Sequence, residues 1–380
     1  MKVLITGAGG FVGKNLKLRL DCCEDIEVVS FTRSNTVKEL CELVSCVDVI
    51  IHLAGVNRPK QQEEFESGNL GFTETLIDAV ISSQKITPII YTSSIQAESD
   101  NPYGRSKRLS EVRLLSLNED FGNPVYIFRL PNVFGKFCRP DYNSVVATFC
   151  YRISRYLPIE ITNEDAQVNL IYVDDLLDNL ISLLDSITNS LISDGTPPES
   201  GFISLEPVYL KSVGSIADEL YKFRESRKSL ITQPVGSGFI RKLYSTYISY
   251  YSPNVFSYEL TKHEDARGVF VEILKTKDSG QFSFFTAYPG VTRGGHYHHS
   301  KNEKFLVVKG NALFRFRNVA TDEYFELFTS SELPKIVETV PGWAHDITNV
   351  GDQEMLVFLW ANEIFNRDKP DTISFPMEMQ

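Results

Sequence analysis

An apolar run, Lys2–Thr6, breaks directly into Gly7-x2-Gly10-x2-Gly13 and then into a helical pattern reaching about Leu20. A strand that meets a glycine turn and a helix N-terminus is suited to cradle a phosphate. Gly7 allows the turn, Gly10 lets backbone approach a pyrophosphate, and Gly13 lets helix and strand pack closely. A glycine triplet alone is weak, because tight turns use glycine for many reasons. The surroundings strengthen it: apolar runs at 26–31, 47–53, 86–92 and 124–130 alternate with helical patterns at 70–83 and 106–117. That is the βαβ rhythm of a parallel sheet. The N-terminal part is therefore expected to be an α/β, Rossmann-like doubly wound parallel sheet holding a dinucleotide.

The pattern changes after a helical, aromatic-rich stretch, Gly238–Tyr251, that ends at Ser252-Pro253-Asn254. Proline stops the helix, and short period-two runs follow at 269–275, 282–287, 304–308, 312–319, 336–340 and 355–361. Many short strands at regular spacing predict an all-β jelly roll. We place the boundary there, with one domain at 1–252 and the other at 253–380. Residues 186–200, rich in Ser, Thr, Gly and Pro, read as a surface loop within the first domain.

The second domain carries Gly290-x5-His296-x-His298-x4-Glu303-x6-Gly310 and Pro341-Gly342-x2-His345-x3-Asn349. Three imidazoles and one carboxylate form a mixed nitrogen and oxygen ligand set that suits a divalent ion such as zinc, iron or manganese, with zinc the first expectation. His299 lies off this register and reads as an ordinary barrel residue.

With 380 residues the chain has room for two or three domains of about 150 residues each. Its opening has one lysine and only a short apolar run before glycine-rich sequence, so neither a signal peptide nor a membrane insertion is expected, and the cytoplasm is the expected address. The six cysteines all lie between Cys22 and Cys150 without a Cys-x-x-Cys pair, which does not fit a secreted disulfide framework. A net charge of −11 offers no basis for binding nucleic acid or anionic membranes. Small-molecule chemistry is the better expectation.

Where an NAD site would place an acidic residue, about 20 residues beyond the glycines, this chain has Thr32-Arg33-Ser34. Arg33 can pair with a 2′-phosphate, so NADPH is the expected cofactor. Tyr103-Gly-Arg-Ser-Lys107 follows an Asn101-Pro102 turn, with Ser94 upstream at a strand end. Four residues apart on a helix, the Lys107 ammonium can sit under the Tyr103 phenol and lower its pKa. Such a phenol can protonate a carbonyl oxygen as hydride reaches carbon, and a serine hydroxyl can hold that oxygen.

These residues, with Thr6–Gly13, His52-Leu-Ala-Gly55, Tyr91-Thr-Ser-Ser94, Arg129-Leu-Pro-Asn-Val-Phe-Gly135 and Tyr172-Val-Asp-Asp175, resemble the extended short-chain dehydrogenase/reductases over about residues 1 to 245. The resemblance implies Ser94, Tyr103 and Lys107 as the catalytic trio. It implies dinucleotide contacts from Gly7, Gly10, Phe11, Val12, Gly13, Leu53, Ala54 and Gly55 together with Tyr103 and Lys107, and a sugar-nucleotide contact from Asn132. Dehydratases of that family follow their Ser/Thr with Asp-Glu, whereas Ser94 is followed by Ile95-Gln96, so dehydration is not expected. The interval from Ser94 to Tyr103 is shorter than in most relatives, which leaves the sugar pocket open. The histidine motifs resemble the cupin superfamily over about 256 to 380, although the residue between Pro341 and Gly342 is missing. Asp265-Ala-Arg-Gly268, Arg293-Gly-Gly-His296-Tyr297 and Pro341-Gly-Trp-Ala-His345 also resemble the dTDP-sugar 3,5-epimerase branch of cupins, which uses its histidine as a base without metal. His296 thus has two candidate roles that exclude each other in one state.

A reductase followed by a cupin resembles the CapF-type bifunctional enzymes of bacterial capsule and O-antigen synthesis. That implies a UDP-sugar substrate, C-3 epimerisation before 4-keto reduction, and a homodimer. Two other readings stay open. One is an NAD(P)-dependent epimerase or reductase with a non-catalytic cupin; the other is an NADP-sensing scaffold, which would not need Ser94, Tyr103 and Lys107.

Overall fold

The N-terminal runs form β1 (Lys2–Thr6), α1 (Phe11–Leu20), β2 (Glu27–Phe31), α2 (Val37–Cys46) and β3 (Val49–His52) in the computed structural model. It describes residues 1–193, 197–265, 268–271, 274–276, 280–363 and 368–378. A short α3 (Glu63–Phe65) leads through a π-helical turn, Glu66–Gly71, into α4 (Phe72–Ser83), followed by β4 (Ile89–Ser94), α5 (Pro102–Phe121), β5 (Val125–Leu130) and β6 (Asn132–Phe134). Next come α6 (Val145–Ile153), β7 (Gln167–Tyr172), α7 (Val173–Ser193), β8 (Gly201–Phe202), β9 (Tyr209–Ser212), α8 (Val213–Ser229), β10 (Ile231–Thr232) and α9 (Gly238–Ile248).

Two compact units result, 1–144 with 168–210, and 145–167 with 211–380. In the first, six parallel strands run in the order β2-β1-β3-β4-β5-β8. Strands β3 and β4 are buried along their whole length, as helices on both faces of a parallel sheet require. The chain leaves β1 toward β2 and returns on the other side at β3, so the switch point lies between the C-terminal ends of β1 and β3. Helix α5 is started firmly: the Asn101 side chain accepts from the Gly104 N–H at 2.8 Å, and Pro102 occupies the first turn.

The expected loop at 186–200 is corrected in its first half, because α7 continues to Ser193. Leu180, Leu184 and Ile187 are fully buried at helical spacing. The Ser186 and Thr188 hydroxyls donate to carbonyls four residues back, at 2.9 and 2.8 Å, so these residues sit in a helix without disrupting it. Residues 194–196 lie outside the described residues.

The second unit holds α6, α8 and α9 with the β-rich C-terminal part. Its strands are β11 (Ser257–Glu259), β12 (Lys262–Asp265), β13 (Gly268–Val271), β14 (Lys275–Thr276), β15 (Gln281–Ala287), β16 (Thr292–Tyr297), β17 (Glu303–Lys309), β18 (Asn311–Asn318), β19 (Tyr324–Ser330), β20 (Lys335–Glu338), β21 (Trp343–Asn349), β22 (Met355–Ala361) and β23 (Ile373–Ser374). Ten of them form two five-stranded sheets, β11-β20-β17-β22-β15 and β19-β18-β21-β16-β23, whose pairings are antiparallel, while β12 pairs with β13 and β14 with β10. Phe305 of one sheet meets Phe314 of the other, 5.7 Å between ring centres, in the core of a cupin-type jelly roll. Strands β16, β19 and β21 were not among the runs read from periodicity. Ala266 and Arg267 of the Asp265–Gly268 motif, and 272–273 of the 269–275 run, lie outside the described residues.

Candidate functional site

At the switch point the glycine turn packs on the segment after β3. Gly7 takes φ +71, and a Cβ there would stand 2.7 Å from the Ala54 amide nitrogen, so only glycine fits. The two strand ends are tied together below it, where Thr6 Oγ1 meets His52 Nδ1 at 2.7 Å and His52 Nε2 meets Thr73 Oγ1 at 3.1 Å. Burial, then the Lys107 charge, pushes the His52 imidazole down to about 3, so it is a neutral crosslink here.

Above this floor opens a cavity of about 540 Å³ lined by Gly7, Gly10, Phe11, Val12, Gly13, Leu53 and Gly55, and also by Ser94, Tyr103, Lys107 and Asn132. An adjoining cavity of about 740 Å³ is lined by Ala54, Arg33 and an apolar trio, Phe31, Val37 and Phe72. The residues proposed for cofactor, catalysis and substrate in this domain therefore converge. Arg33 is exposed. Asn132 is exposed as well, and its side chain donates to the Asn169 carbonyl at 3.2 Å.

Tyr103 and Lys107 sit one turn apart on α5. Lys107 Nζ donates to the Thr92 carbonyl at 2.8 Å and lies 4.4 Å from the Tyr91 ring centre. Burial lowers its pKa to about 8, against the pull of Tyr103 and Glu111. Ser94 Oγ accepts from the Gln96 N–H at 3.2 Å. Two supports were not anticipated. Asn69, in the π-helical turn, accepts from the Val56 N–H at 2.7 Å and donates to Ser106 Oγ at 2.9 Å, tying the turn after β3 to helix α5. Glu111 takes both guanidinium prongs of Arg129 at 3.0 and 2.7 Å and a hydrogen bond from Ser93. A glutamate four residues after Lys107 was a helical-face signal for the second; a lone Asn in a helical pattern offered none for the first.

The second unit brings His296, His298, Glu303 and His345 together, with one ligand atom from each lying within 4.8 Å of the others. A β-bulge between Gly294 and His296 re-aims the first histidine, and Gly294 at φ +105 packs where a Cβ would meet the His345 carbonyl at 2.9 Å. His298 Nδ1 donates to the Asp371 carbonyl, which leaves Nε2 as an acceptor facing Glu303 Oε2 at 3.0 Å. Two acceptors at that distance need a proton or a cation between them. Both ring nitrogens of buried His345 lack a hydrogen-bond partner, the nearest carboxylate oxygen being Glu303 Oε2 at 3.5 Å. Burial and the neighbouring imidazoles of His345 and His298 lower His296 to about 4. Burial would raise Glu303, but the adjoining His298 and His345 imidazoles hold it well below the usual carboxylate range. Imidazoles lowered at His296 and His345, beside a carboxylate that His298 Nε2 also faces, make a donor set that suits a divalent ion, so the group fits one.

A loop carboxylate missed in the sequence holds this group in place. Asp371 accepts from the N–H groups of His299, Ser300 and Lys301 at 2.8, 2.7 and 2.7 Å. His299 points away from the cluster, against the Tyr297 ring at 5.5 Å.

Fold and sites together define a short-chain dehydrogenase/reductase unit followed by a cupin. Comparisons place the chain more narrowly. Residues 3–192 match the NAD dependent epimerase/dehydratase family, and 263–373 match the polysaccharide biosynthesis C-terminal domain. A UDP-2-acetamido-2,6-beta-L-arabino-hexul-4-ose reductase of Pseudomonas aeruginosa is 57% identical over 372 residues, 98% of each chain. The crystal structure of the capsular polysaccharide assembling protein CapF from Staphylococcus aureus superposes with a TM-score of 0.66 at 41% identity, covering 99% of this chain and 100% of that one. The spore coat polysaccharide biosynthesis protein SpsL of Bacillus subtilis is 26% identical over 133 residues, 32% of this chain and 86% of its own. The chain belongs to the CapF-type family, in which an NAD-dependent epimerase/dehydratase domain precedes a polysaccharide biosynthesis C-terminal domain.

Proposed function

We propose that this chain is a bifunctional UDP-sugar enzyme. Its reductase domain converts the 4-ketone of a UDP-2-acetamido-2,6-dideoxy-4-keto-hexose to the alcohol with NADPH, after the cupin has inverted C-3, giving UDP-2-acetamido-2,6-dideoxy-L-talose. We place the division of labour at residues 1–252 and 253–380. The carrying observation is the convergence of Ser94, Tyr103 and Lys107 on the cavity lined by the glycine turn; the Pseudomonas aeruginosa relative, itself a UDP-sugar 4-ulose reductase by name, supports it. NADPH, when bound, supplies hydride. Tyr103 delivers the proton to the ketone oxygen, Ser94 holds that oxygen, and Lys107 steadies the phenol from one helical turn away.

In the cupin, His296, His298, Glu303 and His345 would hold a divalent ion, zinc by the donor set, which when bound polarises a carbonyl oxygen. The 4-ketone acidifies the C-3 proton, so epimerisation precedes reduction. His296, the least buried of the four, also suits the base role of a metal-free epimerase. Elemental analysis together with solvent-deuterium entry at C-3 separates these readings: negligible metal in active protein assigns His296 as the base. Among the described residues no helix is long and apolar enough to cross a membrane, and we place the enzyme in the cytoplasm as a homodimer. The direct test is NADPH oxidation with a panel of UDP-4-keto sugars, with the product identified by NMR. No oxidation with any of them would remove the reductase reading and leave the NADP-sensing one.

A further inference from the structure

Glu303 divides its two carboxylate oxygens between different partners. Oε2 faces His298 Nε2 at 3.0 Å and His345 Nε2 at 3.5 Å, while Oε1 receives the Lys301 ammonium at 3.1 Å. The Lys301 and Glu303 side chains are only 9% and 7% exposed, so water hardly competes for either oxygen. Lys301 is also held by its backbone, whose N–H donates to Asp371 Oδ2 at 2.7 Å. The next two amides are fixed as well, Asn302 N–H on Asn362 Oδ1 at 3.0 Å and Glu303 N–H on Thr339 Oγ1 at 2.9 Å. The ammonium is thus presented to Oε1 from a pinned loop.

A carboxylate can ligate an ion through one oxygen or both. Beside three imidazoles, one oxygen completes the four-coordinate set preferred by zinc, and two would move the site toward the higher, oxygen-richer coordination preferred by manganese. An ammonium seated on Oε1 closes the second option. We propose that Lys301 is a positioning residue that keeps Glu303 a one-oxygen ligand and thereby sets the preference of the site for zinc over manganese. The inference rests on the metal reading above.

Cobalt(II) bound to the full chain tests it, because its visible bands are intense in four-coordinate sites and weak at higher coordination. Lys301→Met should lose more than half of that intensity and move zinc–manganese competition toward manganese by about 10-fold, a usual size for changes in groups that orient a ligand. Lys301→Arg should keep the wild-type bands. Wild-type protein that binds no cobalt would overturn the metal reading and this proposal with it, whereas full binding with identical bands in Lys301→Met overturns the role of Lys301 alone. If the methionine variant does not fold, a crystal structure of the zinc-loaded wild type decides. Oε1 on Lys301 and away from the ion supports the proposal, and both oxygens at about 2.0–2.2 Å from the ion overturn it.

Discussion

Lys107 is the titratable group whose charge the proposed reduction uses. Its pKa is lowered to about 8 by burial, from 10.5, so the folded chain disfavours the charged form. That cost is fully present below pH 8 and is relieved as pH rises from 8 toward 10.5. The ammonium proposed to steady the phenol is therefore lost early, and kcat/KM for ketone reduction should fall above about pH 8. A pH–rate profile whose descending limb stays near 10 would show that the charge of Lys107 is not required. Tyr103→Phe should bind NADPH nearly as the wild type does yet lose about 10² to 10⁴-fold in turnover, the usual worth of general acid catalysis; a variant retaining half its rate would take the phenol out of the mechanism. Arg33→Ala should weaken NADPH and barely change NADH, read as separate dissociation constants, because a guanidinium grips the extra phosphate by charge-assisted bonds. Equal losses for both cofactors would assign Arg33 another task.

Among elements, helix α8 is tied to the jelly roll by a buried charge group. Arg227 pairs with Glu338 of β20, and Lys304 of β17 meets the same carboxylate at 2.9 Å. Burial would raise the Glu338 carboxyl, but the Arg227 and Lys304 charges pull it down to about 2. Its stabilisation is present above pH 4.5 and is lost as pH falls from 4.5 toward 2. Glu338→Gln leaves two buried cations uncompensated and should cost the second unit about 3–5 kcal/mol in denaturant unfolding at pH 7, with a smaller difference near pH 3. Helix α9 reaches the ligand loop as well, Ser245 Oγ donating to the Ser300 carbonyl at 2.9 Å and Arg241 to Ser300 Oγ at 2.8 Å. Periodicity exposed β1, β3, β4 and β5 because they are buried apolar runs between helices. It did not expose β16 or β21, where glycines, arginine and histidines break the alternation, nor the end of α7, where Ser and Thr imitate a loop. The motif residues were legible because their chemistry needs fixed spacing. Asn69, Lys301 and Asp371 were not, because each is a single polar residue whose meaning comes from partners such as Ser106, Glu303 and Ser300.

For the whole molecule, the glycine-turn cavity belongs to one compact unit and the His/Glu group to the other. Stripping metal with a chelator should therefore stop deuterium entering C-3 while leaving reduction of an already epimerised substrate intact, as mass spectrometry and NADPH oxidation would report. Equal loss of both activities would contradict the division of labour. The Asp371 carboxylate also has a bearing on biosynthesis. It clasps amides 70 to 72 residues earlier in the chain, so during translation all four would-be ligands leave the ribosome before the residue that fastens their loop. Any ion taken up by a nascent chain would then be loosely held until the 371 segment emerges, and a ribosome stalled between His345 and Asp371 would display all four candidate ligands on an unfastened loop. An ion held by the His/Glu group would thus be secured only after the 371 segment emerges, when the nucleotide fold has already begun to form.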